Sequence, residues 1–190
     1  MEKPDVIAAV CRALSDQSDA VTILKHHYPF APVPITRRQY GPVESTRVFV
    51  RDGFIDRYSG QRLILPAVFR ILSFALPADF PYHPNWKTEV THPAYWELGA
   101  TIDHLVPVTR GGPDDESNWI TTSMAHNSAK LNWTLDECGW KLYPPGDLNE
   151  WDGLIRWFVE YAGAHIEYAS NSGVGQWLRA AKLVLSEIAV

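Results

Sequence analysis

Apolar residues recur at helical spacing near the start of the chain, where Val6, Ile7, Val10 and Leu14 form one stripe. The pattern predicts helix over 4–28 with a break near 15–18. Pro29, Pro32 and Pro34 then impose an extended segment, because proline fixes its own φ and restricts the residue before it. Residues 46–50 are β-branched and aromatic, the make-up of a short strand. Asp52-Gly53 and Ser59-Gly60 read as turns. Pro66 opens a helix over 66–76, since proline suits the first helical position. Residues 77–97 form an irregular stretch rich in proline and aromatics. Strands are predicted over 100–106 and 119–122, joined by a wide loop through Gly111-Gly112-Pro113. A helix follows over 123–132, and Thr134 with Glu137 forms a capping box for another turn. Pro144-Pro145-Gly146 is a stop. Trp151, Leu154, Ile155, Phe158, Val159 and Ala162 mark an amphipathic helix. Asn171-Ser172-Gly173 breaks it before a last helix over 176–188. Helices, then β-β-α, then helices make the class α+β.

Composition narrows the picture. The chain has 190 residues, 46% hydrophobic and 12% aromatic, enough for one domain with a real core and terminal additions. Its longest apolar runs, such as 63–65, are too short to span a bilayer, so no membrane partner is expected. Glu2 and Asp5 stand where an export signal would be basic and then apolar. Cys11 and Cys138 form neither a metal pattern nor a disulfide framework, which fits a reducing cytoplasm. The net charge of -5 argues against nucleic acid, but its distribution does not. Residues 37–70 hold Arg37, Arg38, Arg47, Arg51, Arg57, Arg62 and Arg70 against Glu44, Asp52 and Asp56. Such a segment either tracks phosphates or is a scattered, solvated face.

The chemistry concentrates between residues 103 and 130. Asp103 is a hard oxygen ligand suited to Mg²⁺, and Asn127 offers a side-chain carbonyl oxygen of the same kind. Two protein ligands leave room for water and phosphate oxygens. His104 is free to act as a general base on a water. Lys130 lies three residues beyond Asn127, on the same helix face, where it could neutralise a phosphate.

The pattern Asp103-His104-x-x-Pro107, Gly111-Gly112, Asn118, Asn127-x-x-Lys130 resembles the HNH endonucleases, which share the ββα-metal fold. The resemblance implies Asp103 and Asn127 as metal ligands, His104 as general base, and Asn118 as the asparagine that braces the loop and orients His104. The third motif residue is often His; Asn is found there in the HNH domain of RNA-guided CRISPR nucleases, which is active. Upstream, Arg51-Asp52-Gly53-Phe54 and Tyr58-Ser59-Gly60 look like the segment that carries a zinc knuckle in many small members. The four zinc cysteines would fall at Asp56, Ser59, Ser123 and His126, so no structural zinc is expected. The insert over 63–99 and the helices at both ends would replace it by packing. This divides the chain into an N-terminal arm (1–45), a nuclease core (46–140) and a C-terminal helical extension (141–190).

Arg51, Arg57, Arg62 and Arg110 are the candidate nucleic-acid contacts, and Arg110 could instead only brace its loop. His126 is either a phosphate contact or a structural occupant of the knuckle position. His26, His27 and His92 have no partners at metal spacing. The rings of 77–97, with Trp86 and Trp96 foremost, either stack on bases or cover the core. The expected function is a cytoplasmic, Mg²⁺- or Mn²⁺-dependent endonuclease on double-stranded DNA, in restriction or phage defence and possible as a homodimer. The alternatives are a non-catalytic nucleic-acid-binding module on the same fold, or a nuclease toxin.

Overall fold

The computed structural model describes residues 1–30 and 40–188. Pro32, Pro34, Arg37 and Arg38 lie outside them. The chain falls into two compact units, Met1–Arg37 and Arg38–Val190.

In the first unit α1 (Lys3–Arg12) and α2 (Gln17–His27) form a helical hairpin. The break expected at 15–18 is where Asp16 caps α2, its carboxylate accepting from the Ser18 N–H at 2.9 Å. Val6, Val10 and Ala20 are buried together, while Ile7 and Leu14 of the same stripe are exposed.

The second unit begins with α3 (Pro42–Arg51), a helix where a strand was expected over 46–50. Helix-start chemistry and burial override β-propensity here. Pro42 opens the helix, and the Glu44 carboxylate accepts from the Gly41 N–H at 2.9 Å. Val48 and Phe49 then sink into the core from one face. Next come α4 (Pro66–Ala75), opening at its proline as expected, and α5 (Ala94–Glu97), which ends the aromatic stretch. β1 (Ala100–His104) pairs antiparallel with β2 (Trp119–Ser123), with Asp103 opposite Ile120 and His104 opposite Trp119. The helix α6 (Met124–Lys130) leaves β2 directly, its first turn capped by Ser123. A short α7 (Leu135–Cys138) carries the expected Thr134–Glu137 capping box. The chain closes with α8 (Ile155–Ala164), α9 (Ile166–Ala169) and α10 (Ser172–Ile188). The unit is thus mixed helix with one small antiparallel sheet.

One apolar core unites distant segments. Val48 and Phe49 of α3, Leu63, Leu65, Ile71 of α4, Ile102 of β1 and Trp119 of β2 meet Phe158 of α8 and Leu178 and Val184 of α10. The Trp151 indole donates to the Leu63 carbonyl at 2.7 Å, tying the approach of α8 to the same layer. A satellite cluster gathers Phe69, Phe80, Tyr82, Trp86, Tyr95 and Trp96, so much of the stretch 77–97 is packed. Among the described residues, no helix is long and apolar enough to cross a membrane.

Candidate active site

Two hydrogen bonds stitch α6 onto β1. Asn127 Nδ2 donates to the Ile102 carbonyl at 3.0 Å, and Lys130 Nζ donates to the His104 carbonyl at 2.7 Å. Their spacing of three puts both side chains on one helix face, which therefore lies over the strand carrying Asp103 and His104. These four residues are brought together. Because Asn127 uses its amide N–H₂ on Ile102, its Oδ1 faces the other way with no hydrogen bond from the described residues.

Asp103 is 6% exposed, and one of its oxygens is heavily used. Oδ2 accepts from the Tyr58 hydroxyl at 2.6 Å and pairs with the Lys130 ammonium at 2.9 Å. Burial, with the nearby Asp103 carboxylate, pushes the Tyr58 hydroxyl well above the usual tyrosine value. Tyr58 therefore keeps its proton and remains a donor. Asp103 Oδ1 accepts no hydrogen bond from the described residues. The expectation that Lys130 neutralises phosphate gives way to a different placement. Its side chain is fully buried, with its ammonium on Asp103 and the His104 carbonyl. A charge so deep needs a partner within the fold.

His104 is 3% exposed and held by Asp114. Its Nε2 lies 2.7 Å from Asp114 Oδ1, and the Trp119 indole nitrogen lies 3.0 Å from the same oxygen and 3.1 Å from Nε2. An ionised carboxylate only accepts, so it takes both N–H groups and fixes the proton on Nε2. Nδ1 then carries the lone pair a base requires. Asn118 braces the loop between the strands. Its Oδ1 accepts from the Val106 N–H at 2.9 Å, and its Nδ2 donates to the Val106 and Pro113 carbonyls, each at 2.8 Å. Gly112 permits this closure, because a Cβ there would strike the Val106 carbonyl and the Asn118 amide. The side chain that holds the His104 ring is thus Asp114, not Asn118.

The expected nucleic-acid contacts are mostly bound within the chain. Arg51 and Arg57 both pair at 3.0 Å with Asp52, which is fully buried and accepts from the Thr121 N–H at 2.8 Å. They brace the end of α3 against β2. Arg110 pairs with Glu137 at 3.0 Å and lies over the Trp133 ring, so it braces its loop. Arg62 is exposed, with its guanidinium over the Trp151 ring.

His126 bonds through Nδ1 to Asp56 Oδ2 at 2.7 Å. The same carboxylate accepts from the N–H groups of Ser123 and Tyr58, each at 2.9 Å, and from the Thr122 hydroxyl at 3.0 Å. Burial alone would raise the Asp56 carboxyl. The Ser123 and Tyr58 N–H groups together with His126 outweigh it and hold the group below the ordinary carboxylate value. The side chains at three of the four positions aligned with zinc cysteines, Asp56, Ser123 and His126, are therefore joined by hydrogen bonds. Sequence reasoning missed Asp114, although it is an acid in the loop that returns to His104. Asp52, Asp56 and Tyr58 stood out only as part of the segment similar to a zinc knuckle, and not as the hydrogen-bonding partners they are.

Among the described residues, no three His, Cys, Asp or Glu side chains converge as a metal-binding group. A hard divalent cation could instead be held by the two unengaged oxygens, Asp103 Oδ1 and Asn127 Oδ1. Oxygen donors with several positions left for water suit Mg²⁺ or Mn²⁺. No family model, no curated protein and no solved structure matches the chain.

Proposed function

We propose that the chain is a metal-dependent DNA endonuclease of the HNH type, with β1, β2 and α6 as its ββα core. The observation that carries this reading is how α6 lies on β1. It sets Asn127 and Lys130 over the strand that carries Asp103 and His104, with Asp103 Oδ1 and Asn127 Oδ1 taking no hydrogen bond from the described residues. Asp103 and Asn127 would hold Mg²⁺ or Mn²⁺, which when bound supplies charge neutralisation at the scissile phosphate. His104 takes the proton of the attacking water at Nδ1, and Asp114 balances the resulting imidazolium across the Nε2–H bond. Tyr58 and Lys130 hold the Asp103 carboxylate in place through its Oδ2. Cleavage leaves 5′-phosphate and 3′-hydroxyl ends. A cytoplasmic restriction or defence role, with a homodimer for double-strand cuts, fits one centre that cuts one strand.

His104→Ala is expected to abolish Mg²⁺-dependent nicking of plasmid DNA while leaving DNA binding and the circular dichroism spectrum intact. Cutting at the wild-type rate by that variant removes His104 as the base. One observation favours a second reading, a binding module without catalysis: the Lys130 ammonium already neutralises Asp103. Plasmid that stays intact with Mg²⁺ and with Mn²⁺, yet is still bound, selects that reading.

A further inference from the structure

We propose that the cavity beside β1 receives a nucleobase swung out of the nucleic acid, and that Arg70 reads its acceptor edge. The proposal rests on the nuclease reading for its choice of nucleic acid, but not for the shape of the cavity. The cavity holds about 450 Å³, within the range of small-ligand sites. Its walls include six flat rings, those of Tyr40, Phe49, Tyr82, Trp86, Tyr95 and Trp177, and its lining is mostly apolar. Arg70 is the charged residue of that lining.

The guanidinium of Arg70 stacks on the Tyr82 ring at 3.5 Å from its centre, yet its Nη1 is sealed from water with no hydrogen-bond partner. Among the described residues it is the one buried side-chain nitrogen or oxygen left so. Buried donors are paired in nearly every folded protein, so this stranded one gains an acceptor only when the guanidinium turns from the Tyr82 ring into the cavity that Arg70 lines. The two features select together. Flat aromatic walls favour a planar ring that can stack, and the N–H requires a carbonyl oxygen or ring nitrogen at that ring's edge. A nucleobase has both, and guanine, with O6 and N7 on one edge, is the best match for arginine. A bare phosphate would leave the aromatic walls without a partner and would need more donors than Arg70 supplies.

The cavity also adjoins the candidate site. Residues 100–102 of β1 line it, and the strand continues directly into Asp103 and His104. Tyr40 meets Trp119 edge-on at 5.4 Å, and the Trp119 indole is the group that shares Asp114 with His104. A base stacked on Tyr40 thus bears on the same tryptophan that helps fix the imidazole.

The test uses the whole protein in EDTA, so that binding is read without cutting. Anisotropy titrations compare a short labelled duplex carrying one unpaired guanine with the same duplex carrying an abasic residue there. The expected result is roughly tenfold tighter binding to the unpaired guanine. Arg70→Leu and Trp86→Ala should each bring the ratio close to one while leaving affinity for the fully paired duplex unchanged. Arg70→Lys, which keeps the charge but not the planar fork, should lose most of the preference and guards against misfolding of the leucine variant. Equal affinity of the wild-type protein for guanine and abasic duplexes overturns the proposal. So does erasure of the preference by millimolar inorganic phosphate at constant ionic strength, which would make the ligand an anion. A guanine preference in a protein that never cuts DNA removes the nuclease reading and keeps this one.

Discussion

In the proposed mechanism one side chain, Asp114, decides which nitrogen of His104 can serve as a base. Without it, His104 Nε2 would face only the Trp119 N–H, and that donor would draw the imidazole lone pair to the wrong edge. Asp114→Asn keeps the shape but removes the negative charge that balances the imidazolium. The expected result is a fall in kcat of roughly a hundredfold, with KM for DNA little changed. A threefold loss or less in steady-state nicking assays would make Asp114 a loop residue only. At this scale the sequence was legible where chemistry is local. Asp103 and His104 are adjacent, and Asn127 and Lys130 share a helix face, so spacing alone brings them together. Tyr58 was not legible as a partner of Asp103, because 45 residues and a reversal of the chain separate them. Lys130 was misread for a related reason. A lysine's spacing fixes its helix face, but only packing decides whether its ammonium meets solvent or a buried carboxylate.

At the scale of elements, the ββα segment followed closely from turn and strand chemistry. Both strands and α6 fall within two residues of their predicted bounds. Residues 46–50 did not, since β-branched residues buried on one helix face carry the same composition as a strand. What holds these elements in register is Asp56, which joins the turn at 56–60 to the end of β2 and the start of α6 through four hydrogen-bonded groups. Removing it strands several buried donors at once, so Asp56→Ala is expected to cost on the order of 3 kcal/mol in urea unfolding. The same group gives a pH dependence of known sign. Its folded pKa lies below the unfolded value of 3.8, so its contribution is fully present above that pH and is lost as the pH falls through the folded pKa. Stability should therefore drop more steeply with acid below about pH 4 in the wild type than in Asp56→Ala. Parallel acid limbs for the two proteins would remove Asp56 as the tie.

At the scale of the molecule, the helices after residue 150 complete the core that supports the site. Periodicity revealed their apolar faces, but not that the faces meet α3 and the sheet, because a one-dimensional pattern names the buried face and not its partner. Phe158 is fully buried among these segments, and the ring of Phe49 stacks with Trp177 of α10 at 6.2 Å. Arg47 reaches from α3 to Glu187 through two hydrogen bonds at the surface, where ion pairs contribute little, so the apolar contact is what binds α10 to α3. Phe158→Ala opens a cavity in that layer and should destabilise the protein by about 3–5 kcal/mol. It packs in the apolar core and offers no polar group to Asp103, His104 or Asn127, so its effect on cutting should come through folding. Nicking should match the wild type well below the variant's Tm and collapse together with the circular dichroism signal on heating. A variant whose far-ultraviolet spectrum and Tm stay unchanged would mean that the last helices stand apart from the core, and the placement of β1 would then need another support.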